Sequence, residues 1–259
     1  MIINYLIGAL VFFLGLCIGS FLNCVIYRLE EEKSLGGRSF CPCCKHTLSW
    51  LDLFPVFSFL FLGGKCRYCK KKISIQYPVV ELVTGIIFLV IFLSFIKYTA
   101  LGLLNVIFLF YITSSLVVIF IYDLKHYIIP DIVLFPAVII TLIFRLLTDF
   151  SSFANFLIAV LIGSGFFLAI FLISKGKAMG FGDVKLAVLM GLLLGFPSIL
   201  VSLFLAFFFG AIIGLILMIF KGKGLKSEIP FGPFLILGTF IALLYGNQLI
   251  QWYLNFLKI

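Results

Sequence analysis

Among the ten acidic residues in this chain are two that stand where a long apolar run meets a short polar one, Asp123 in IYDLKHYIIPDIV and Asp183 in AMGFGDVKLAVLM. A charged side chain in or beside a membrane span is costly, which makes each a functional candidate by default. Between them the sequence has room for one apolar span leading out and one leading back, so both acids return to the same face at similar depth. Gly180 and Gly182 allow backbone angles closed to other residues and a close approach of a neighbouring chain, enough to bring the two carboxyls together. Two carboxyls within hydrogen-bond reach cannot both ionise cheaply and share a proton. The ionised member can draw a proton from water while its partner donates one to the carbonyl of a scissile amide. The competing reading of the second acid is a glycine-rich turn with Asp183 capping a helix.

A second set of reactive side chains lies in CPCC and CRYC. Cys41 and Cys44 form one CxxC pair, Cys66 and Cys69 another, and such pairs bring four sulfurs to one tetrahedral zinc ion. Two disulfides or a redox dithiol are the alternatives, and a reducing cytosol disfavours the disulfides. Cys43 adjoins a ligand and is left out of the set; Cys17 and Cys24 fall in the first apolar run and read as small packing residues. Asp131, just after Pro130, suits the start of a helix, and Asp149 in LTDFSS suits a cap or turn. Asp123 has no such explanation, because the end of a helix is the wrong place for an anion. Lys125 and Lys185, each two residues after an acid, either snorkel to the interface or tune the acid pair. Glu30, Glu31 and Glu32 read as a solvated face or a dock for a basic substrate segment.

The elements that must hold these residues follow from composition. The chain is 64% hydrophobic and 11% charged, with a mean hydropathy of +1.30, far more apolar than a soluble domain. Apolar stretches near the roughly 20 residues that a helix needs to cross a bilayer recur almost throughout, at 3–27, 79–96, 101–122, 131–148, 152–174, 183–196, 198–220 and 232–256. The sixth is short. Alternating barrel strands are absent. The first run has no basic residue ahead of it and YRLEEEK behind it, which reads as an uncleaved anchor with its N-terminus outside. That orientation places every Lys and Arg except Lys97, Arg145 and Lys258 on the cytosolic side, as the positive-inside rule requires. The net charge of +9 is then matched to anionic lipid headgroups, and no aromatic-interleaved basic groove points to nucleic acid. The expected fold is an all-α polytopic membrane protein of about eight transmembrane helices with a small cytosolic zinc-ribbon-like loop domain. Its parts would be a first helix at 1–28, the four-cysteine loop at 29–78, too small to fold without a staple, and a seven-helix region at 79–259.

In GSFLNCVIYRL, the two CxxC pairs, YPVVEL, the Asp123 segment with IPD, GFGDVKL and PFGPFL, taken in that order, the chain resembles the prepilin peptidases, membrane aspartic proteases of type IV pilus, type II secretion and competence systems. The resemblance covers nearly the whole chain. It implies that Asp123 and Asp183 are the catalytic pair, while Asp131 is the acid of the PD element, which is not usually assigned the chemistry. The implied reaction is cleavage, on the cytosolic side of the bacterial inner membrane, of the basic leader of a prepilin or pseudopilin after a glycine. Members with the cysteine loop are commonly bifunctional, which implies methylation of the new N-terminus by S-adenosylmethionine, with Glu81 a candidate for a polar role near that site. Two rival readings are a non-enzymatic zinc-stapled scaffold or transporter component, supported by Gly15/Gly19, Gly191/Gly195 and Gly210/Gly214 as close-packing pairs, and a presenilin-type intramembrane protease sharing GxGD.

Overall fold

The computed structural model describes residues 2–96, 99–177, 179–221 and 229–257, without the side chains of residues 2–5 and 221. Lys97, Lys223, Lys226 and Lys258 of the charge map lie outside the described residues. Among the described residues there are nine α-helices: α1 Ile2–Glu30, α2 Phe57–Phe61, α3 Gln76–Phe95, α4 Ala100–His126, α5 Asp131–Thr148, α6 Phe153–Ser174, α7 Phe181–Leu194, α8 Ser198–Lys221 and α9 Gly232–Phe256. Short 3₁₀ turns occupy Trp50–Leu53 and Phe150–Ser152, and no extended strand is present among the described residues. Seven helices, all but α2 and α7, are long and apolar enough to cross a membrane. The chain is a membrane protein of the all-helical type. Its contacts divide it into two compact units, 1–118 and 119–259.

In the first unit α1 packs on α3. Their backbones approach closely because glycines line the seam: a Cβ on Gly15 would stand 2.7 Å from Gly85 Cα, and one on Gly19 2.7 Å from Glu81 Cα. Phe88 of α3 stacks on Phe110 of α4 at 4.1 Å. Beyond α1 the chain is gathered by Arg28. This buried guanidinium donates to the carbonyls of Ser34, Leu35, Gly36, Gly37 and Arg38, a use that suits its rigid fork of donors. Of the two cysteines expected to pack, Cys17 is exposed on α1 and Cys24 is half-buried.

In the second unit α7 lies at the centre, packed by α5, α6, α8 and α9. Its 14 residues span only about 21 Å at about 1.5 Å per residue. Nine of them are buried, Asp183 included, so this helix presents no broad face to lipid. Close packing again rests on glycine, because a Cβ on Gly191 would stand 2.6 Å from the Val160 nitrogen of α6. Gly195 ends α7 at φ 70° and is also close-packed, a Cβ there standing 3.1 Å from the Phe156 ring of α6, whereas Gly210 sits at ordinary contact distance from Phe231 and Gly214 has open space. The C-terminal carbonyls of α7, which lack intrahelical partners, are taken by Arg145 of α5, whose guanidinium donates to Leu192 O at 3.3 Å and Leu193 O at 2.7 Å. Asp149 ion-pairs with Arg145 at 2.9 Å, so its place in the turn is to hold that arginine rather than to cap a helix.

Candidate active site

Asp123 belongs to the last turn of α4, and its side chain is nearly removed from solvent, with the residue 4% exposed. The anion that sits badly at the end of its own helix meets the beginning of another. The Gly232 N–H, the first of α9, donates to the Asp123 carboxylate. Helix N-termini carry unsatisfied N–H groups and the positive end of the dipole, which supplies the explanation that α4 alone lacks. A Cβ on Gly232 would collide with Asp123 Oδ2 and stand 3.2 Å from its Cγ, so glycine is required for this approach.

Asp183 is the third residue of α7 and is 8% exposed. Its carboxylate accepts the N–H of Gly180, the residue that caps the helix, the reach-back of an acid in a capping box. The capping role and the pairing role are thus compatible, since the charge of Asp123 also acts on the Asp183 carboxyl. Ile129 joins the two halves. This buried side chain from the turn between α4 and α5 lies where a Cβ on Gly182 would meet it at 3.2 Å and one on Gly232 at 3.6 Å. Gly182 and Gly232 therefore close on one isoleucine, and each brings an acid with it.

Around the pair, Lys185 forms an ion pair with Asp131 and lies over the rings of Phe135 and Phe181 at 5.5 and 5.7 Å. Asp131 stands in the first turn of α5 but makes no side-chain cap, so its lysine partner replaces the capping expected of it. Gly232 is the participant that sequence reasoning passed over. The available signal was the GP step in PFGPFL: Pro233 falls in the first turn of α9, where proline marks a helix start and so the exposed N–H groups just before it.

The four predicted metal ligands meet. The sulfurs of Cys41, Cys44, Cys66 and Cys69 all lie within 4.8 Å of one another, with Cys41 and Cys69 at 3.9 Å. Thiolates about 2.3 Å from a tetrahedral zinc ion are spaced by nearly this amount. Each CxxC is carried by the same turn. Cys41 N–H bonds to His46 O and Lys45 N–H to Cys41 O, with Lys45 at φ 58°. In the second turn Cys66 N–H bonds to Lys71 O and Lys70 N–H to Cys66 O, with Lys70 at φ 59°. Cys43 stays outside the cage, against Lys71. For Cys66, burial acts upward, but the N–H groups of Cys69 and Tyr68 and the neighbouring thiols bring it down to about 7. Cys69 is helped by the Lys71 N–H, yet burial and the thiols of Cys66, Cys44 and Cys41 push it up to about 12. The cage by itself accepts one thiolate readily and resists the next, which is the deficit that a bound divalent cation removes. The second turn is also bolted to the chain before it: Asp52 accepts Arg67 Nε at 2.7 Å, Tyr68 OH at 3.2 Å and the Ser49 N–H and hydroxyl at 3.0 and 2.8 Å. Burial acts to raise the Asp52 carboxyl, but these hydrogen bonds outweigh it and hold it below the usual carboxylate range.

Comparison with known proteins bears on this arrangement directly. Residues 13–95 match the Bacterial Peptidase A24 N-terminal domain, and residues 109–215 match the type IV leader peptidase family. The chain belongs to the type IV leader peptidase family. It is similar to the prepilin leader peptidase/N-methyltransferases of Aeromonas hydrophila (32% identical, covering 98% of this chain and 96% of that protein), Legionella pneumophila (32%, 99% and 98%) and Bacillus subtilis (30%, 95% and 98%). No solved structure is a significant match. Both glycine-closed acids lie within the span of the leader peptidase match, and all four cysteines lie within the N-terminal one. Neither the scaffold reading nor the presenilin-type reading is favoured by this membership.

Proposed function

We propose that this leader peptidase family member is a membrane aspartic endopeptidase that removes the basic leader from type IV prepilin-like proteins after a glycine and then methylates the new N-terminus. One observation carries the reading: two buried carboxyls, Asp123 and Asp183, each held by a helix-start N–H, with the charge of Asp123 acting on Asp183. With one proton between them, the ionised carboxylate takes a proton from water as that water attacks the scissile carbonyl. The protonated partner donates to the carbonyl oxygen, and the pair then returns a proton to the departing amine. The Gly232 and Gly180 N–H groups hold the two carboxyls in place through this exchange. Zinc would be held by Cys41, Cys44, Cys66 and Cys69, where it fixes the loop and takes no part in hydrolysis. S-adenosylmethionine, when bound, supplies the methyl group; the described residues include no strand, glycine loop and helix unit of the kind that grips a nucleotide. The membrane is the bacterial cytoplasmic membrane, with the N-terminus outside and the acids and cysteine loop facing the cytosol, an orientation supported by the distribution of Lys and Arg.

The test is prepilin cleavage by purified protein. Asp123→Asn and Asp183→Asn are each expected to give a folded, membrane-inserted protein without cleavage, and normal turnover in both variants would refute the assignment. Mass spectrometry of the cleaved product should show an added methyl that depends on S-adenosylmethionine.

A further inference from the structure

Composition marks residues 29–78 as the polar, water-facing piece of the chain, yet its middle is not polar. Trp50–Leu62 reads WLDLFPVFSFLFL, with Asp52 its only charge. It folds into the first 3₁₀ turn and α2, and neither contains a buried residue. Trp50 is 75% and Phe61 86% exposed, and Phe54, Phe57 and Leu60 are exposed as well. Large apolar side chains gathered in this way mark a surface that something other than water covers.

Two contacts fix how deep the segment lies. The Phe54 ring is 5.6 Å from that of Phe13 on α1, and Val56 N–H donates to Glu81 Oε2 at 2.7 Å, Glu81 being the residue that faces Gly19 of α1. The start of α3 lies against Asn23 of α1; Phe13 is ten residues deeper along α1 and Glu81 five residues into α3, which at about 1.5 Å per residue puts the two contacts roughly 15 and 8 Å inside that level, within the roughly 30 Å of a bilayer core. The tip at Phe54–Phe57 is therefore level with the interior of two membrane spans and not with their ends. On the same two spans Leu10, Leu14, Val83 and Ile86 are also exposed and apolar.

Charge and backbone agree with this depth. The basic residues stand at the two ends, Lys45 before the segment and Lys65, Arg67, Lys70, Lys71 and Lys72 after it, and Asp52 is saturated by Ser49, Arg67 and Tyr68. At the tip Val56 has φ 61°, a conformation a β-branched residue keeps only when its surroundings enforce it. Its N–H is satisfied by a carboxylate within the protein, as backbone away from water must be. Apolar runs of about 10–14 residues are too short to cross a bilayer and suit a segment that enters and returns.

We propose that Trp50–Leu62 is a re-entrant membrane segment: its exposed side chains contact lipid acyl chains, Trp50 lies near the interface, and the flanking lysines and arginine meet anionic headgroups. The inference is independent of the chemistry assigned to the two aspartates. The chain has two tryptophans, so Trp252→Phe leaves Trp50 as the sole emitter, and adding Trp50→Phe with Phe57→Trp moves the reporter to the tip. In proteoliposomes made with acyl-brominated lipids, we expect Trp50 to lose emission to bromines near the headgroup end of the chain. The tip reporter should lose it to bromines farther down and be shielded from aqueous iodide. Quenching of the tip by iodide would overturn the proposal in favour of a water-facing loop. Emission untouched by either quencher would overturn it in favour of a protein partner, a second copy or a substrate helix. If the tip variant does not fold, the unaltered segment in Trp252→Phe still decides, because a Trp50 reached by iodide and by no brominated chain refutes insertion.

Discussion

Replacing Gly232 by Ala puts the pairing geometry to a demanding test, because it adds one methyl group and removes no hydrogen-bonding group. The added Cβ would overlap Asp123 Oδ2, while carbon–oxygen contacts run at roughly 3.3–3.6 Å, so the oxygen must retreat by about 1 Å. A misplacement of about 1 Å at a reacting group costs on the order of 10²-fold in rate. The loss is expected in kcat, because the displaced group is one of the two carboxyls proposed to react. Stability should not fall with it. Gly232 opens α9 with no positive φ, alanine keeps the N–H, and alanine takes the backbone angles of a helix start without strain. Gly165→Ala in α6, where a Cβ meets nothing within 4 Å, is the control. The assay is steady-state prepilin cleavage beside thermal unfolding. A Gly232→Ala enzyme with wild-type kcat would refute the claim that this glycine sets the position of Asp123, and a kcat loss matched by a loss of melting temperature would assign it to folding instead.

Further expectations follow from other parts of the structure. Gly191→Ala sets a Cβ 2.6 Å from the Val160 nitrogen, backbone that cannot step aside, and should destabilise by about 1–3 kcal/mol, read as a lower unfolding temperature; an unchanged value would show that α6 and α7 can separate. Elemental analysis should give one zinc per chain, and a chelator or Cys41→Ser should open the 40–72 region to protease while helices α5–α9 stay protected. Protease resistance without metal would remove the staple role. For Asp52 the folded pKa is lowered, so its stabilisation is complete above the unfolded value of about 3.9 and is lost as pH falls through the lower folded value. The melting difference between wild type and Asp52→Asn should be constant near neutral pH and vanish in acid, and a difference growing toward acid would contradict the bonding described for it.

The sequence shows the acids plainly because so few charges interrupt the apolar runs that Asp123 and Asp183 have little competition, and their shared level follows from counting the spans between them. Paired ligands reveal the cysteine cage for the same reason: each short turn is local, and only the meeting of the two turns is tertiary. Gly232 was harder to read. Its function lies in an N–H and in a missing Cβ, neither of which has a residue type of its own, and its partner is far away in the chain. The ion pair of Lys185 with Asp131 and the grip of Arg145 on the end of α7 are likewise contacts between separate helices that no periodicity announces. The WLDLFPVFSFLFL stretch was visible as an apolar run, but the polar residues on both sides dominate any average over 29–78, and only Phe13 and Glu81 give its level.

The enclosure of α7 bears on how this protein tolerates different lipids. A helix that touches lipid must tilt or stretch its surroundings when bilayer thickness changes, and α8, with its long row of exposed phenylalanines and isoleucines, is open to that adjustment. Asp183 is mounted instead on a short rod gripped by neighbours on every side. Hydrophobic mismatch can reorient the outer helices while the mounting of Asp183 is kept, which would let this carboxyl hold its place in membranes of differing composition.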